Sequence, residues 1–270
     1  MRFQILRLGL ALAGVMLSAN GQWLNYPAPG TPLTRSGTPD LSAKTPRTAM
    51  GTPDLSGVWQ TEPAQVGEIE RIFGDLGPAV VAGDDPRTFS RYFLNLLVDF
   101  KPGEEPIRPE AAALTLKRRQ TMDSPQSHCL PMGIPAIDVT GFPFKIFQTP
   151  EEIVIYYEGY GAFRQIHTDG RELPLNPFPA WMGYSTAKWK GDTLVVDTAG
   201  FNDKGWMDAW GHPRSEALHV QERFHRRDFG HNGRAGDHQR SQHTDAVDHD
   251  KIHGTADPQH RHSGEFLHGG

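Results

Sequence analysis

The sequence predicts a mainly β fold: an antiparallel up-and-down meander, barrel-like or stacked as a sandwich, with two N-terminal helices. Glycine (29) and proline (22) together make about a fifth of the 270 residues, above the average of roughly 12%, which favours a fold with many turns. From residue 142 onward apolar and polar residues alternate, which is the period of a strand. Several links between these segments are too short for a parallel crossover, so the strands they join are expected to be antiparallel.

The first 21 residues have the pattern of a cleavable signal peptide. Arg2 and Arg7 flank the start of an apolar run at 8–17, and small residues follow at positions 19 and 21. A buried core helix is the alternative interpretation. We therefore expect an exported protein, periplasmic or extracellular, in an oxidising compartment. Its single cysteine, Cys129, has no partner within the chain.

Residues 22–53 are rich in proline and glycine and are predicted to form a linker or an arm on the domain surface. Within this segment GTPDLS occurs at 37–42 and again at 51–56. A single duplication of this length is too short for a solenoid, so we interpret it as a local tandem duplication. The second copy leads into the first predicted strand, Gly57-Val58-Trp59.

A β-rich domain is predicted over residues 54–230. Apolar residues spaced by three and four predict an amphipathic helix at 87–100, and a second helix is predicted at 110–122, after Pro109. The period-two pattern then predicts strands at 144–149, 153–158, 162–168, 184–189, 193–198 and 216–226.

Residues 231–270 are predicted to form a disordered tail. The tail from residue 232 has only four large apolar residues, and nine of the thirteen histidines fall between 225 and 270. Metal binding by the histidines, with His249 and His253 four residues apart, is one alternative. We favour a shifted reading frame, because translation one base later permits strand-like segments such as VQVTI and WTMTRF and supplies a cysteine. The nucleotide sequence would test this hypothesis.

Several segments of the chain resemble a widespread family of exported bacterial proteins of unassigned function. They are TPDLSGVW (52–59), CLPMGIP (129–135), PFKIFQTPEEIVIYYE (143–158), RQIHTDGRELP (164–174), GDTLVVDTAGFNDK (191–204) and HPRSEALHVQERF (212–224). The resemblance implies further strands and a second cysteine beyond residue 230, where this chain departs from the pattern. It implies no activity. Gly57-x-Trp59 followed by a meander is also similar to lipocalin-like barrels.

Composition and motifs exclude several classes of function. A net charge of −5 with no basic block argues against a nucleic-acid partner. No run of about 18 apolar residues predicts a transmembrane segment. Outside the tail the sequence has no metal-ligand motif, and it has no phosphate-binding glycine loop, so no metal and no cofactor are predicted. The oligomeric state is not indicated.

The strand predicted at 162–168 places Arg164 on one face and His167 on the other, and Asp169 follows in a turn. A histidine held by a carboxylate can act as a general base. The alternative is an ordinary Asp169-Gly170 turn. On the last predicted strand Glu216 and Glu222 share a face. Facing inward they would be acid/base candidates with raised pKa values, and in the opposite register they are surface charges.

The loop at 200–213 places aromatic side chains beside titratable groups: Trp206, Trp210, Asp203, Asp208 and His212. Such a loop is typical of a ligand site at the mouth of a barrel, because rings bury an apolar ligand body and polar groups orient it. The alternative is that these aromatic residues close one end of the core.

The leading functional prediction is an exported domain that binds a small, partly apolar ligand. Its ligand-binding candidates are Arg164, Trp181, Tyr184, Trp206 and Trp210. An acid/base enzyme, such as a lyase, isomerase or hydrolase, is the main alternative, with catalytic candidates His167, Asp169, Asp203, His212 and Glu216. Such an enzyme needs a titratable group facing the cavity and within hydrogen-bond reach of a second one. A surface interaction module that uses the proline-rich arm is a further alternative.

Overall fold

The computed structural model describes residues 30–61 and 90–232, apart from residues 102 and 122. The predicted signal peptide, the start of the first predicted helix and the tail beyond residue 232 lie outside the described residues. The chain forms two compact units, Met1–Leu41 and Ser42–Gly270. No helix in the described ranges is long and apolar enough to span a membrane.

The second unit is mainly β and contains one curled, mostly antiparallel sheet, a half-barrel, in which spatial order follows chain order. The strands are β1 (Gly57–Trp59), β2 (Phe144–Gln148), β3 (Glu152–Tyr157), β4 (Ala162–His167), β5 (Tyr184–Lys190), β6 (Thr193–Ala199) and β7 (Val220–His225). The predicted mainly β class is confirmed. β7 starts later than predicted, because Ser215 to Leu218 form a turn in which the Leu218 amide donates to the Ser215 carbonyl (3.2 Å).

The sheet departs from the predicted all-antiparallel meander at one place. β4 and β5 are parallel and pair only through Ile166 with Ser185 and His167 with Thr186. The connection over residues 168–183 is not a tight turn, and a connection of a dozen or more residues can carry the chain back to run parallel. The period-two pattern predicts that both strands exist, but it does not encode their relative direction.

The prediction of two N-terminal helices is wrong for the first of them. α1 is a single turn, Arg91–Leu94, whereas α2, Pro109–Thr121, corresponds to the second predicted helix. Side chains take the backbone donors that would continue α1: the Asp208 carboxylate accepts from the Leu96 amide (2.8 Å), and Asn95 accepts from the Leu97 amide (2.7 Å). This competition between side chains and backbone ends helices. Three short 3₁₀ segments follow, at Pro125–His128, Ala136–Val139 and Gly159–Gly161.

The hydrophobic core lies on one face of the half-barrel. β2, β3, β4 and β7 alternate and each direct every second side chain inward, whereas β6 buries three consecutive residues at 194–196. Residues with almost no exposed surface include Ile146, Ile155, Ile166, Val196, Val220 and Phe224. The 3₁₀ segment Ala136–Val139 also contributes to this core.

The duplicated segment folds into the same turn twice. The turn begins three residues before each copy: the Thr34 amide donates to the Thr38 carbonyl (2.8 Å) at the first copy, and the Thr48 amide donates to the Thr52 carbonyl (2.9 Å) at the second. The second copy is anchored to the sheet: the Leu55 amide donates to the Gln148 side chain (2.7 Å), and the Leu55 side chain is buried in the core. The predicted arm is therefore ordered into two turns over its described residues.

The chain turns back after β7. Asn232 forms an antiparallel bridge with Arg226, and the Arg227 amide donates to the His231 carbonyl (2.9 Å). The Asp228 carboxylate holds this turn by accepting from the His231 amide (2.8 Å). The described residues thus end on this isolated bridge, just after β7. The hypothesis of a shifted reading frame concerns the residues beyond this point and stays a prediction.

Candidate functional site

A cleft of about 210 Å³ lies where the C-terminal end of α2 meets the loop at 201–213. Its walls combine aromatic and apolar side chains with polar and charged ones. They are Arg118, Arg119, Ser124, Gln126, Met132, Ala136, Tyr160, Trp206, Asp208 and Ala209. This cleft is the best candidate for a ligand site, because apolar surface with a few convergent polar groups is what such sites share.

Two arginines from the last turn of α2 lie over tryptophan rings. The Arg118 guanidinium carbon is 5.2 Å from the Trp206 ring centroid, and that of Arg119 is 3.6 Å from the Trp210 centroid. Both distances fit cation–π contacts. Burial lowers the pKa of both guanidinium groups, but an arginine stays protonated in a protein. Two positive charges therefore border the cleft.

Asp208, in the wall of the cleft, forms a buried pair with His212 behind it. The His212 Nδ1 atom lies 2.6 Å from Asp208 Oδ2, which also accepts from the Leu96 amide (2.8 Å). Asp208 Oδ1 accepts from the amides of Gly211 (3.1 Å) and His212 (3.2 Å). Every lone-pair direction of this carboxylate is thus engaged within the protein. The pair ties the loop to the turn after α1 and leaves no acceptor position of Asp208 open to a ligand.

Arg214 fixes the loop that carries Trp206. It donates to the carbonyls of Ile134 (2.8 Å), Trp181 (3.0 Å) and Asn202 (3.0 Å), and burial lowers its pKa to about 10. The guanidinium passes so close to Gly205 that a Cβ atom there would lie 2.4 Å from it. A glycine is therefore required beside Trp206, and the loop backbone is held by a rigid donor cluster.

Tyr160 on the cleft wall has a strained backbone. Its φ is +66°, in the left-handed region that a bulky residue rarely adopts. Burial raises the pKa of its phenol, and the ring packs edge-on against Phe142 with centroids 6.2 Å apart. Strain of this kind costs about 1–3 kcal/mol and occurs often at functional sites.

A second polar cluster is enclosed in the core. The Arg164 guanidinium pairs with both oxygens of Glu222, with Nη1 to Oε1 at 3.0 Å, and with Asp138 Oδ2 (3.2 Å). It also donates to the hydroxyl of Thr198 (2.8 Å), while the Tyr157 hydroxyl donates to Asp138. All these side chains are buried, so this cluster contributes to the structure of the core and no ligand reaches it.

Two carboxyl groups share one guanidinium in this cluster. Burial and the nearby charge of Glu222 raise the pKa of Asp138 to about 8. At neutral pH Asp138 is therefore largely protonated, so the Arg164 guanidinium does not have to balance two full carboxylate charges in the core.

This raised pKa predicts a pH dependence of stability. An aspartate that titrates near 4 in the unfolded chain and near 8 in the fold stabilises the protein below pH 4, and this contribution is lost as the pH rises through 8. Asp138→Asn keeps a neutral side chain at every pH. We expect the unfolding free energy of the variant, relative to the natural chain, to increase between pH 4 and 8 in urea titrations. A constant difference over this range would contradict the assignment.

The structure brings three of the sequence-predicted candidates to the cleft region. Trp206 forms part of the wall, Trp210 lies beneath Arg119, and His212 lies behind the wall, paired with Asp208. The aromatic residues of this loop therefore do border a cavity, and its opposite wall comes from the end of α2.

The remaining candidates lie elsewhere. The rings of His167 and Tyr184 are in contact with centroids 5.1 Å apart and planes tilted by 37°. Arg171 bridges Asp169 (2.9 Å) and the Tyr184 hydroxyl (3.2 Å) in an exposed cluster. Trp181 packs against Arg214, with the guanidinium carbon 5.6 Å from its ring centroid.

Three candidates have environments that decide between the alternatives left open by the sequence. Arg164 is in the core, and Asp203 is exposed on its loop. Glu216 is also exposed, because it precedes β7, so the interpretation as a buried carboxylate is wrong for it. Glu222, by contrast, is a buried carboxylate, because its side chain points inward from β7.

Sequence reasoning missed Arg118, Arg119 and Tyr160. The two arginines are adjacent in the last turn of a predicted helix, where basic residues are favoured by the helix dipole alone. Only the packing of α2 against the tryptophan loop distinguishes them. Comparisons with protein-family models, with curated proteins and with solved structures find no match to this chain. The resemblance to an exported bacterial family accordingly stays a prediction.

Proposed function

We propose that this is an exported protein that binds a small, partly apolar molecule in the cleft between α2 and the loop at 201–213. The observation that carries the proposal is one cavity wall that combines Trp206, Tyr160 and Met132 with guanidinium groups. Aromatic and apolar side chains remove the body of a ligand from water, and fixed polar groups orient it. The volume of about 210 Å³ is below the roughly 300 Å³ at which sites for drug-sized molecules begin, so the ligand is small.

The proposal can be tested by filling the cleft. Ala209 is an exposed residue of the wall, so Ala209→Trp occupies the cavity without removing a core contact. Benzyl alcohol and benzoate serve as probes, and the signal of the Trp206 indole N–H in NMR titrations is the readout. We expect saturable shifts with at least one probe, and at least tenfold weaker binding in the filled variant.

Ala113→Trp is the matched control, because Ala113 is exposed on α2 and does not line the cleft. This control should bind the probes as the natural chain does. The proposal is wrong if neither probe shifts the Trp206 signal, or if the filled variant and the control behave alike.

An acid/base enzyme is the second candidate, and the short contact between His212 and Asp208 favours it. A carboxylate that holds a histidine in one tautomer is a common catalytic arrangement. The burial of both side chains favours binding over catalysis, because the ring of His212 does not line the cleft. The enzyme interpretation requires a bound compound to be converted by the natural chain. A His212→Gln variant should then bind that compound without converting it.

A further inference from the structure

We infer that the ligand of this cleft is an organic anion, whose acid group is held by Arg118 and Arg119 and whose apolar body lies against Trp206 and Tyr160. The inference depends on the proposed function, since it names the chemical class of ligand for the same site. Its basis is the balance of charge in the cleft and the geometry of the two guanidinium groups.

The charges that border the cleft do not cancel. Arg118 and Arg119 supply two cations, and within the described ranges neither guanidinium has a carboxylate within 4.0 Å. Asp208 is the acidic residue of the wall, but its oxygens are taken by His212 and by three backbone amides. An anion that enters the cleft therefore meets attraction from both arginines and no exposed carboxylate of the wall.

The remaining polar side chains of the wall are largely engaged with their own backbone. The Ser124 hydroxyl accepts a hydrogen bond from the backbone amide of Ser127 (3.3 Å), and the side-chain amide of Gln126 donates to the Pro131 carbonyl (3.3 Å). Arg118 uses one N–H for the Gly211 carbonyl (3.2 Å), and its other four donors have no hydrogen bond to the described residues. The free hydrogen-bonding capacity of the cleft thus consists mainly of charged donors.

The tryptophan rings hold the guanidinium planes in place. The Arg119 guanidinium carbon lies over the Trp210 ring, 3.6 Å from its centroid, and within the described residues Arg119 has no hydrogen bond or ion pair that would occupy its N–H donors. These donors form a planar fork that matches the two oxygens of a carboxylate or phosphate. An arginine already ordered by stacking loses less conformational entropy when it binds, which favours affinity.

Anions with one aromatic ring suit the remaining space. Met132, Ala136 and Trp206 provide an apolar wall beside the arginines, and the volume fits a body of about one ring. Carboxylates and phosphate monoesters share the chemistry that the arginines recognise. Benzoate and phenyl phosphate therefore represent the two sources of the acid group, and benzamide is the neutral analogue of benzoate.

The inference can be tested by titrating the full chain with these three probes in low salt. We expect one of the anions to bind at least about tenfold more tightly than benzamide, because charge-assisted hydrogen bonds are about twice as strong as neutral ones. This advantage should decrease in high salt, since exposed charges are screened. Benzoate and phenyl phosphate affinities compared at one salt concentration tell whether the site prefers a carboxylate or a phosphate.

Arg119→Gln and Lys117→Gln form a matched pair of variants. Each removes one positive charge from an exposed position of α2, but only Arg119 lines the cleft. We expect Arg119→Gln to weaken the anion about tenfold or more while benzamide binding is unchanged. Lys117→Gln should leave both affinities unchanged.

Three outcomes would overturn the inference. If benzamide binds as tightly as both anions, the cleft is a ligand site without charge selectivity, and the proposed function survives. If the two variants weaken the anion equally, only net charge attracts it and no guanidinium holds it. If no probe binds, the inference and the proposed function are both wrong.

Discussion

Replacement of Arg164 by methionine is expected to lower the unfolding free energy at pH 7 by about 3–5 kcal/mol. Arg164 is 1% exposed and is paired with Glu222 and Asp138 inside the core. Methionine fills a similar volume but removes the cation and its donors. The variant must then bury the Glu222 carboxylate without a partner or take up a proton, and the hydroxyls of Thr198 and Ser185 also lose their contacts with the guanidinium.

Urea denaturation provides the measurement, and Arg223→Met provides the control. Arg223 lies on β7 next to Glu222 but on the other face, where it contacts Gln221 (2.9 Å) outside the core. Its replacement should change stability by less than about 0.5–1 kcal/mol. A loss below 1 kcal/mol in Arg164→Met would contradict the description of this cluster as a buried ion pair.

A double variant separates the loss of the pair from the cost of an unpaired charge. Glu222→Leu in the Arg164→Met background removes the remaining carboxylate from the core. Because an apolar pair of similar size can replace a buried ion pair at little cost, the double variant should recover part of the lost stability. If the double variant loses as much stability as Arg164→Met and Glu222→Leu alone lose together, Arg164 and Glu222 act independently.

Leu55→Ala is expected to lower the unfolding free energy by about 2–5 kcal/mol, whereas Leu41→Ala should change it by less than about 0.5 kcal/mol. Both leucines occupy the same position of the duplicated GTPDLS segment, and the two copies form the same turn. Leu55 is 1% exposed in the core cluster and Leu41 is 51% exposed. We therefore expect the two leucines to contribute very differently to stability, although the local sequence is identical, because only Leu55 is buried.

This pair of variants controls for local sequence, since the same substitution is made at the same position of the two GTPDLS copies, although Leu41 lies in a turn and Leu55 does not. Thermal or urea unfolding of both variants is sufficient to compare them. Equal losses would mean that the first copy is buried as deeply as the second. Absence of a loss in Leu55→Ala would mean that this leucine does not anchor the second copy.

The strands were largely predictable from the sequence because a half-barrel buries one face. β2, β3, β4 and β6 begin and end within a residue or two of the predicted positions, and Gly57-Val58-Trp59 forms β1 as expected. The parallel pairing of β4 with β5 was not predictable, because alternation records which face is buried and carries no record of strand direction. The first helix failed for a related reason: Asp208, far along the chain, accepts the amide that α1 would need.

The candidate site was predictable only in part. The loop with Trp206, Trp210 and His212 attracts attention by composition, since aromatic and titratable residues are concentrated in it. The end of α2, which forms the opposite wall of the cleft, does not stand out in the sequence, because basic residues such as Arg118 and Arg119 are common in the last turn of a helix. The cleft exists only where the two segments pack together.

The sequence alone predicted the mainly β class and the positions of most strands. These features depend on local alternation and on glycine and proline, which act over a few residues. Tertiary structure decided which leucine of the repeat is buried, which carboxylates share Arg164 and which arginines border a cavity. Those outcomes depend on contacts between residues such as Arg164 and Glu222, which are distant in the chain and meet only when the sheet curls.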